Sequence, residues 1–465
     1  MVTGFLCEEK IIITPLIGLI LFFPNFVRSK IQILYQMQLH PGTQQQSEYT
    51  ESKANITLLP PNDEIWYTSS DGNIVNPTHN SVFGAQIVSN TYDNGKGVIK
   101  FNGEVTEIGK QAFYHCDAFT REIFMYSAML AGSKTSVWVH TAIGSCDITS
   151  ITLPKSVTKI GDQAFNGCHA LISVTIPDSL TEIGDSAFSG CKNLVDVTIP
   201  NSVIKIGDTV FAHCCFTSVT IPNSVIDIGH NVFMCCNNLK EFKGKFASAD
   251  GRSLIIGDKI IAYAPAGISQ YVIPDGVTEI GDYVFKECHS IKNVSIPNSV
   301  MKIGKLAFCD CCNLESICIP DSVTEIGEQA FSGCKSFTSV NIPNSVTKIG
   351  NFAFSNCDNL TCVEISNSLT EICLFANCKR LTTVNIPNGV IKIGDRAFMQ
   401  CSSLACVNIP DGVTTIDRLA FWDCANLRDI NIPDSVKKID KEAFKDCKKL
   451  PIKTKLKILK IRMGF

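Results

Sequence analysis

Apolar residues along this chain follow a period of 23 residues, far longer than the 2 of a strand or the 3.6 of a helix. The period is marked by Ile-Pro or Leu-Pro, with prolines at Pro154, Pro177, Pro200, Pro222, Pro274, Pro297, Pro320, Pro343, Pro387, Pro410 and Pro433, and Ser366 in the vacant slot. The unit reads I-P-[DN]-S-V-T-x-I-G-x-x-A-F-x-x-C-x-x-L-x-x-V-x, and Ile319 through Val340 carries it almost without departure. In each unit a pattern such as Leu171, Val174 and Ile176 predicts a short strand, closed by a proline that lacks the N–H needed for further pairing. A second short extended piece, Val157 to Ile160, runs to a turn at Gly161, and Asp162 to Phe165 suits one helical or 3₁₀ turn. No such unit buries its apolar face alone, so neighbours must stack. The expected fold is a repeat solenoid of about fifteen rungs, each a β-strand plus a short strand and turn, with a core continuous from end to end.

The departures keep phase. One residue is missing after Cys214, and two are missing where Glu371 leads to Phe375. Between Pro222 and Pro274, Ser253 to Ile273 reads as a rung that kept its strand and lost its Ala-Phe-x-x-Cys loop. Phe101 to Cys116 is a first unit, and Ala142-Ile143-Gly144-Ser145-Cys146 reads as a degraded loop within a lengthened one. The expected organisation is a candidate leader over 1–39, a polar linker over 40–60, an N-terminal β cap over 61–100 with turns at Asp71-Gly72 and Asn94-Gly95, the solenoid over 101–450 with irregular rungs at 117–153 and 243–273, and a basic C-terminal tail over 451–465. In that tail Lys453, Lys455 and Lys457 alternate with Thr454 and Leu456, which predicts a further edge strand; capping of the last rung is favoured over contact with an anionic surface.

Equivalent slots stack into ladders. Fourteen of the 23 cysteines share the slot three after Phe (after Ile143 in one case): Cys116, Cys146, Cys168, Cys191, Cys214, Cys236, Cys288, Cys311, Cys334, Cys357, Cys378, Cys401, Cys424 and Cys447. Strand spacing holds equivalent Cβ atoms farther apart than a disulfide allows, so these are expected as buried free thiols. The phenylalanine slot, Phe113 through Phe444, is expected as a core spine. Before each Ile-Gly or its equivalent the sign alternates, from Lys159, Glu182, Lys205 and Asp227 to Glu279, Lys302, Glu325, Lys348, Glu371, Lys392, neutral Thr415 and Lys438. A same-sign column would repel along its length, so the alternation is read as structural. The outward strand position reads Thr175, Thr198, Thr220, Ser295, Cys318, Asn341, Glu364, Asn385, Asn408 and Asn431. This flat, small-polar, nearly uncharged row is the candidate partner-binding face, weighed against a solvated ladder with no ligand.

Composition narrows the function. With 41 Lys+Arg against 44 Asp+Glu, the chain carries no global basic field for nucleic acid. The apolar run at 11–23 is of signal length and short for a membrane span, although Glu8 and Glu9 precede it where a signal carries positive charge. No integral span is expected, and export is favoured. Asn55, Asn293 and Asn359 begin glycosylation sequons. Cys309-Asp310-Cys311-Cys312 with His289 lacks the second ligand pair that zinc takes, and no C-x-x-C stands in a redox context, so no metal or cofactor is expected. Phosphate-loop, metalloprotease and nucleophile-elbow motifs are absent, and the eight histidines stand singly.

The repeat I-P-x-S-V-T-x-I-G-x-x-A-F-x-x-C-x-x-L-x-x-V resembles the BspA-type leucine-rich repeat of bacterial and protist surface proteins, over about Phe101 to Leu450. The resemblance implies a right-handed leucine-rich-repeat solenoid and, for some members, adhesion to host matrix proteins or other cells. It implies no catalytic residues. The expected function is therefore a non-enzymatic protein-binding scaffold, exported or at the cell surface. The alternatives are an intracellular scaffold, or an enzyme using the irregular stretches Ser253–Tyr271 or Phe124–His140.

Overall fold

The computed structural model of the protein describes residues 59–78, 81–114 and 148–464. The candidate leader, nearly all of the linker and the Ala142–Cys146 loop lie outside the described residues. The chain coils so that every rung adds one strand to each of two parallel columns. The main column runs from Ile148–Thr152 through Ser173–Thr175 to Asp429–Ile430, and the second from Glu107–Ile108 through Lys159–Ile160 to Lys438–Ile439. The second column holds fourteen strands among the described residues, close to the expected fifteen rungs. Pairing is in register, one repeat against the next, as in Val340 with Val363 and Val384 with Val407.

The second strand passes into the Ala-Phe-x-x-Cys segment through turns closed by i→i+3 bonds, Ala164 N to Gly161 O and Cys168 N to Phe165 O. A left-handed residue at Gln163 (φ 55) stops these turns from propagating as a helix. Gly161 serves a different need. A Cβ there would sit 2.8 Å from Lys110 N and 2.9 Å from Gly109 C, so the residue lets successive rungs approach closely.

The core is laid down as ladders. Phenylalanine rings stack nearly parallel on the rung before and after, as in Phe165 on Phe188 (5.1 Å, 5°) and Phe308 on Phe331 (5.2 Å, 7°), because equivalent side chains are related almost by pure translation. Eleven of the twelve described ladder thiols donate to the phenylalanine carbonyl of the preceding rung at 2.9–3.4 Å. The twelfth, Cys288, follows the irregular rung, which has no phenylalanine in the slot. The ladder cysteines from Cys191 to Cys447 are free, and burial pushes thiols of the ladder up, to about 12 at Cys236 and Cys401.

Sign alternation in the second column is set by the pairing itself and is longer than the sequence pattern showed. Glu107 lies opposite Lys159, and Lys259 lies opposite Glu279. Ion pairs follow at Lys159–Glu182 (3.1 Å), Lys259–Glu279 (2.8 Å) and Lys392–Glu371 (2.9 Å). Where neutral Thr415 interrupts the series, Asp417 supplies the second partner to Lys392 at 2.9 Å. A same-sign column also exists, contrary to the repulsion argument. Asp162, Asp185 and Asp208 stack because each carboxylate accepts the backbone N–H of the next rung, at 3.1, 2.8 and 2.6 Å, which supplies positive dipoles between the charges.

Two expectations are corrected, the continuous core and the strand in the tail, and both concern irregular places in the repeat. Phe113 stacks directly on Phe165 at 5.3 Å, and Cys168 reaches Phe113 O across 55 residues where the regular separation is 26, so these two described rungs are neighbours in the stack. The rung over 243–273 did keep its main strand, Gln270–Val272, but it also supplies the second column through an antiparallel hairpin, Ser253–Ile256 with Lys259–Tyr263. That hairpin divides the core, which is not continuous from end to end: one buried cluster runs from Ile65 to Ala264 and a second from Ile260 to Ile458. The phenylalanine stack ends at Phe233 and restarts at Phe285, with Tyr263 tilted by 42° between the segments. Finally, the tail forms no edge strand. Ile452–Met463 is a helix that covers the last rung through Ile458, with Lys457 paired to Asp434 (2.7 Å) and Arg462 donating to Asp440 O (2.7 Å). Leucine and lysine favour helix, and Gly464 closes it in the left-handed conformation.

At the other end, β1 (Glu64–Ser69) lies between β3 (Lys96–Phe101) and the first rung's strand, antiparallel to both. β2 (Ile87–Asp93) joins β3 by the turn at Asn94-Gly95, both at positive φ. Phe83 closes the aromatic spine against Phe113.

Candidate functional site

In each main strand the central residue, Val or Ile in most and Phe242 or Tyr271 in two, points to the core, so its two neighbours face outward. The candidate row falls on that outward face: Thr198, Thr220, Ser295, Asn341, Glu364, Asn385, Asn408 and Asn431 are exposed, as is Cys318, and Thr175 is half-buried. The pairing aligns Asn341 with Glu364 and Asn385 with Asn408. It also adds residues the row lacked: Thr152 opposite Thr175, Lys243 opposite Thr220 and Val272 opposite Ser295. Thr152 and Val272 were legible as the residues two before Pro154 and Pro274. Lys243 was not, because Gly244 follows it where the repeat carries Ile and no proline marks the slot.

The row is not uniform. Asn408 Nδ2 donates to Asn385 Oδ1 at 3.4 Å, a weak ladder contact that leaves both amides facing solvent. Asn431 is committed to the fold: its Oδ1 accepts from Ile409 N and its Nδ2 donates to Ile409 O, both at 2.7 Å. Val272, 70% exposed, begins the second segment as an apolar step. At the hairpin the face becomes charged, with a shallow cleft lined by Lys240, Glu241, Asp250 and Arg252.

The irregular rung holds a buried polar pair. Ser253 and Tyr271 bond to each other at 2.9 Å in a buried position. Burial pushes the Tyr271 hydroxyl up to about 12 and the Tyr263 hydroxyl up as well. Cys309, whose neighbourhood was weighed for zinc, has its thiol raised to about 12 by burial and then by Asp310. Among the described residues no group of three His, Cys, Asp or Glu side chains is gathered to hold a metal ion. No helix of the described residues is long and apolar enough to cross a membrane.

Two parallel strand columns, a stacked aromatic core and about 23 residues per turn define a leucine-rich-repeat solenoid. The BspA type leucine rich repeat region matches this chain in six copies, over residues 140–247, 255–374 and 373–461, and the protein belongs to that family. The gap between the first two matched stretches, 248–254, ends in the first strand of the dividing hairpin. A leucine-rich repeat protein from Bacteroides ovatus is 29% identical, with a TM-score of 0.50, over 77% of this chain and 83% of its own. One from Eubacterium ventriosum is 23% identical, with a TM-score of 0.51, over 66% and 85%. The pneumococcal vaccine antigen PcpA is 22% identical, with a TM-score of 0.53, over 76% and 88%. The last two show the shared fold alone. No curated protein matches the chain.

Proposed function

We propose that this protein is a non-enzymatic, adhesin-like scaffold that binds a protein partner through the outward face of its main strand column, at the cell surface. The observation that carries the reading is the exposed row of small polar side chains, in register over consecutive strands. From Val272 to Asn408 it crosses seven strands, about 29 Å at the usual strand spacing. A face of that length and flatness suits a protein rather than a small molecule. Placement at the surface is supported by the apolar run at 11–23 and by the resemblance of the repeat to surface proteins. The partner class in view is a host matrix or cell-surface protein.

The test replaces Asn341, Asn385 and Asn408 together by arginine, leaving Asn431 to hold Ile409. The variant is expected to lose a partner captured by the parent while its melting curve is unchanged. Capture at parental strength by the folded variant refutes the face. Protease treatment of intact cells is expected to cleave the protein, and full protection refutes surface placement. A second reading, an intracellular assembly scaffold, is favoured by the exposed Cys318 and Cys362 being free thiols.

A further inference from the structure

The C-terminal helix, Ile452–Met463, is apolar on two opposite faces. One face, with Ile458 and Ile461, packs on the last rung. The other carries Ile452, Leu456, Leu459 and Met463 at i, i+4, i+7 and i+11, exposed by 77, 55, 45 and 68%, a continuous ridge that none of the described residues covers. At 100° per residue, Lys453 and Lys460 flank this ridge on one side, and Lys455 and Arg462 on the other. The helix contains five basic residues and no acidic one, in a chain whose formal net charge is −3. Lys457 and Arg462 are engaged with the last rung, so Lys453, Lys455 and Lys460 are the cations the outward face offers.

Charge decides between the occupants of such a ridge. A second copy of the helix would set these cations against their own equivalents, so the face is unsuited to self-association. The ridge is purely aliphatic, without the aromatic anchors that seat in a protein pocket. Its lysines have stems long enough to keep each ammonium at headgroup level while the ridge descends. We propose that the outward face of this helix lies in the surface of an anionic lipid bilayer, with the ridge among the acyl chains and the lysines at the lipid phosphates. The solenoid is then held at its C-terminal end, by a helix that does not span the membrane.

The test uses the full chain with phosphatidylcholine vesicles, with and without phosphatidylglycerol, and a Leu459→Trp reporter read against the parent's own tryptophans. Reporter emission is expected to shift to the blue and be quenched by brominated acyl chains only when phosphatidylglycerol is present. In that reporter chain, Leu456→Glu with Met463→Glu, and separately Lys453→Glu with Lys455→Glu and Lys460→Glu, are each expected to weaken the response at least about tenfold. These side chains are exposed, so unchanged circular dichroism serves as the folding control. No reporter shift on anionic vesicles overturns the proposal and leaves the ridge to an acidic protein groove. Loss with the lysine variant but not with the ridge variant also overturns it, because the contact is then electrostatic only.

Discussion

Replacing Phe331 by alanine tests whether the division of the core at the hairpin is a division in stability. The Phe331 ring is fully buried and stacked at 5.2 Å on both Phe308 and Phe354, deep in the segment from Ile260 to Ile458. Its loss removes the transfer energy of the ring, two stacking contacts and the packing around the cavity, about 4 kcal/mol in all. Over an m-value of about 2.5 kcal/mol/M, that lowers the urea midpoint of its segment by about 1.6 M. In a stack whose rungs touch only their neighbours, the effect travels as far as the core is continuous. Both strand columns and the phenylalanine spine are interrupted between Phe233 and Phe285, so the segment from Ile65 to Ala264 should keep its midpoint. Hydrogen exchange during urea unfolding, read on peptides from each segment, resolves the two transitions. The reciprocal change, Phe188→Ala, is expected to lower only the first. A single transition displaced equally for both segments by either variant would refute the argument that the hairpin uncouples them.

Thiol reagents should modify Cys318 and Cys362 in the native protein within minutes, while the ladder thiols, buried and bonded to carbonyls, react only on unfolding; early modification of Cys334 or Cys401 in mass-mapped samples would contradict the ladder. Lys392 has its pKa raised by its bonds to Asp417 and then Glu371, so its contribution is full below the ordinary lysine pKa near 10.4 and is lost as pH climbs through the higher folded value. Lys392→Met should therefore cost about 1 kcal/mol or less at pH 7, given its partial exposure, with the gap to the parent closing in strongly alkaline buffer as followed by thermal melts. Gln400 holds φ 57 in the slot where other rungs carry Gly167, Gly190 and Gly333, and Gln400→Gly should stabilise the second segment by up to about 1 kcal/mol in urea titrations.

The period, the ladders and the sign alternation were legible because a solenoid repeats its contacts at fixed sequence distance: a residue's neighbours are its own equivalents one unit away. Cys168 and Phe113 could not be joined that way, because 55 residues separate them where the repeat sets its partners 26 apart. The candidate face was legible wherever a proline marked the strand end. Its limits were not, since Lys243 enters the row without one and Asn431 leaves it by turning its amide onto Ile409. The tail misled because alternating Lys-Thr-Lys-Leu-Lys fits a strand locally, whereas the same twelve residues place Ile458 and Ile461 on one helical face over the last rung. The sequence by itself determined the rung, its inward residues and the order of stacking, all of which follow from local spacing. Only the tertiary structure decided where the core divides and what covers its ends, because those depend on which apolar surfaces remain once each rung has packed against its neighbours.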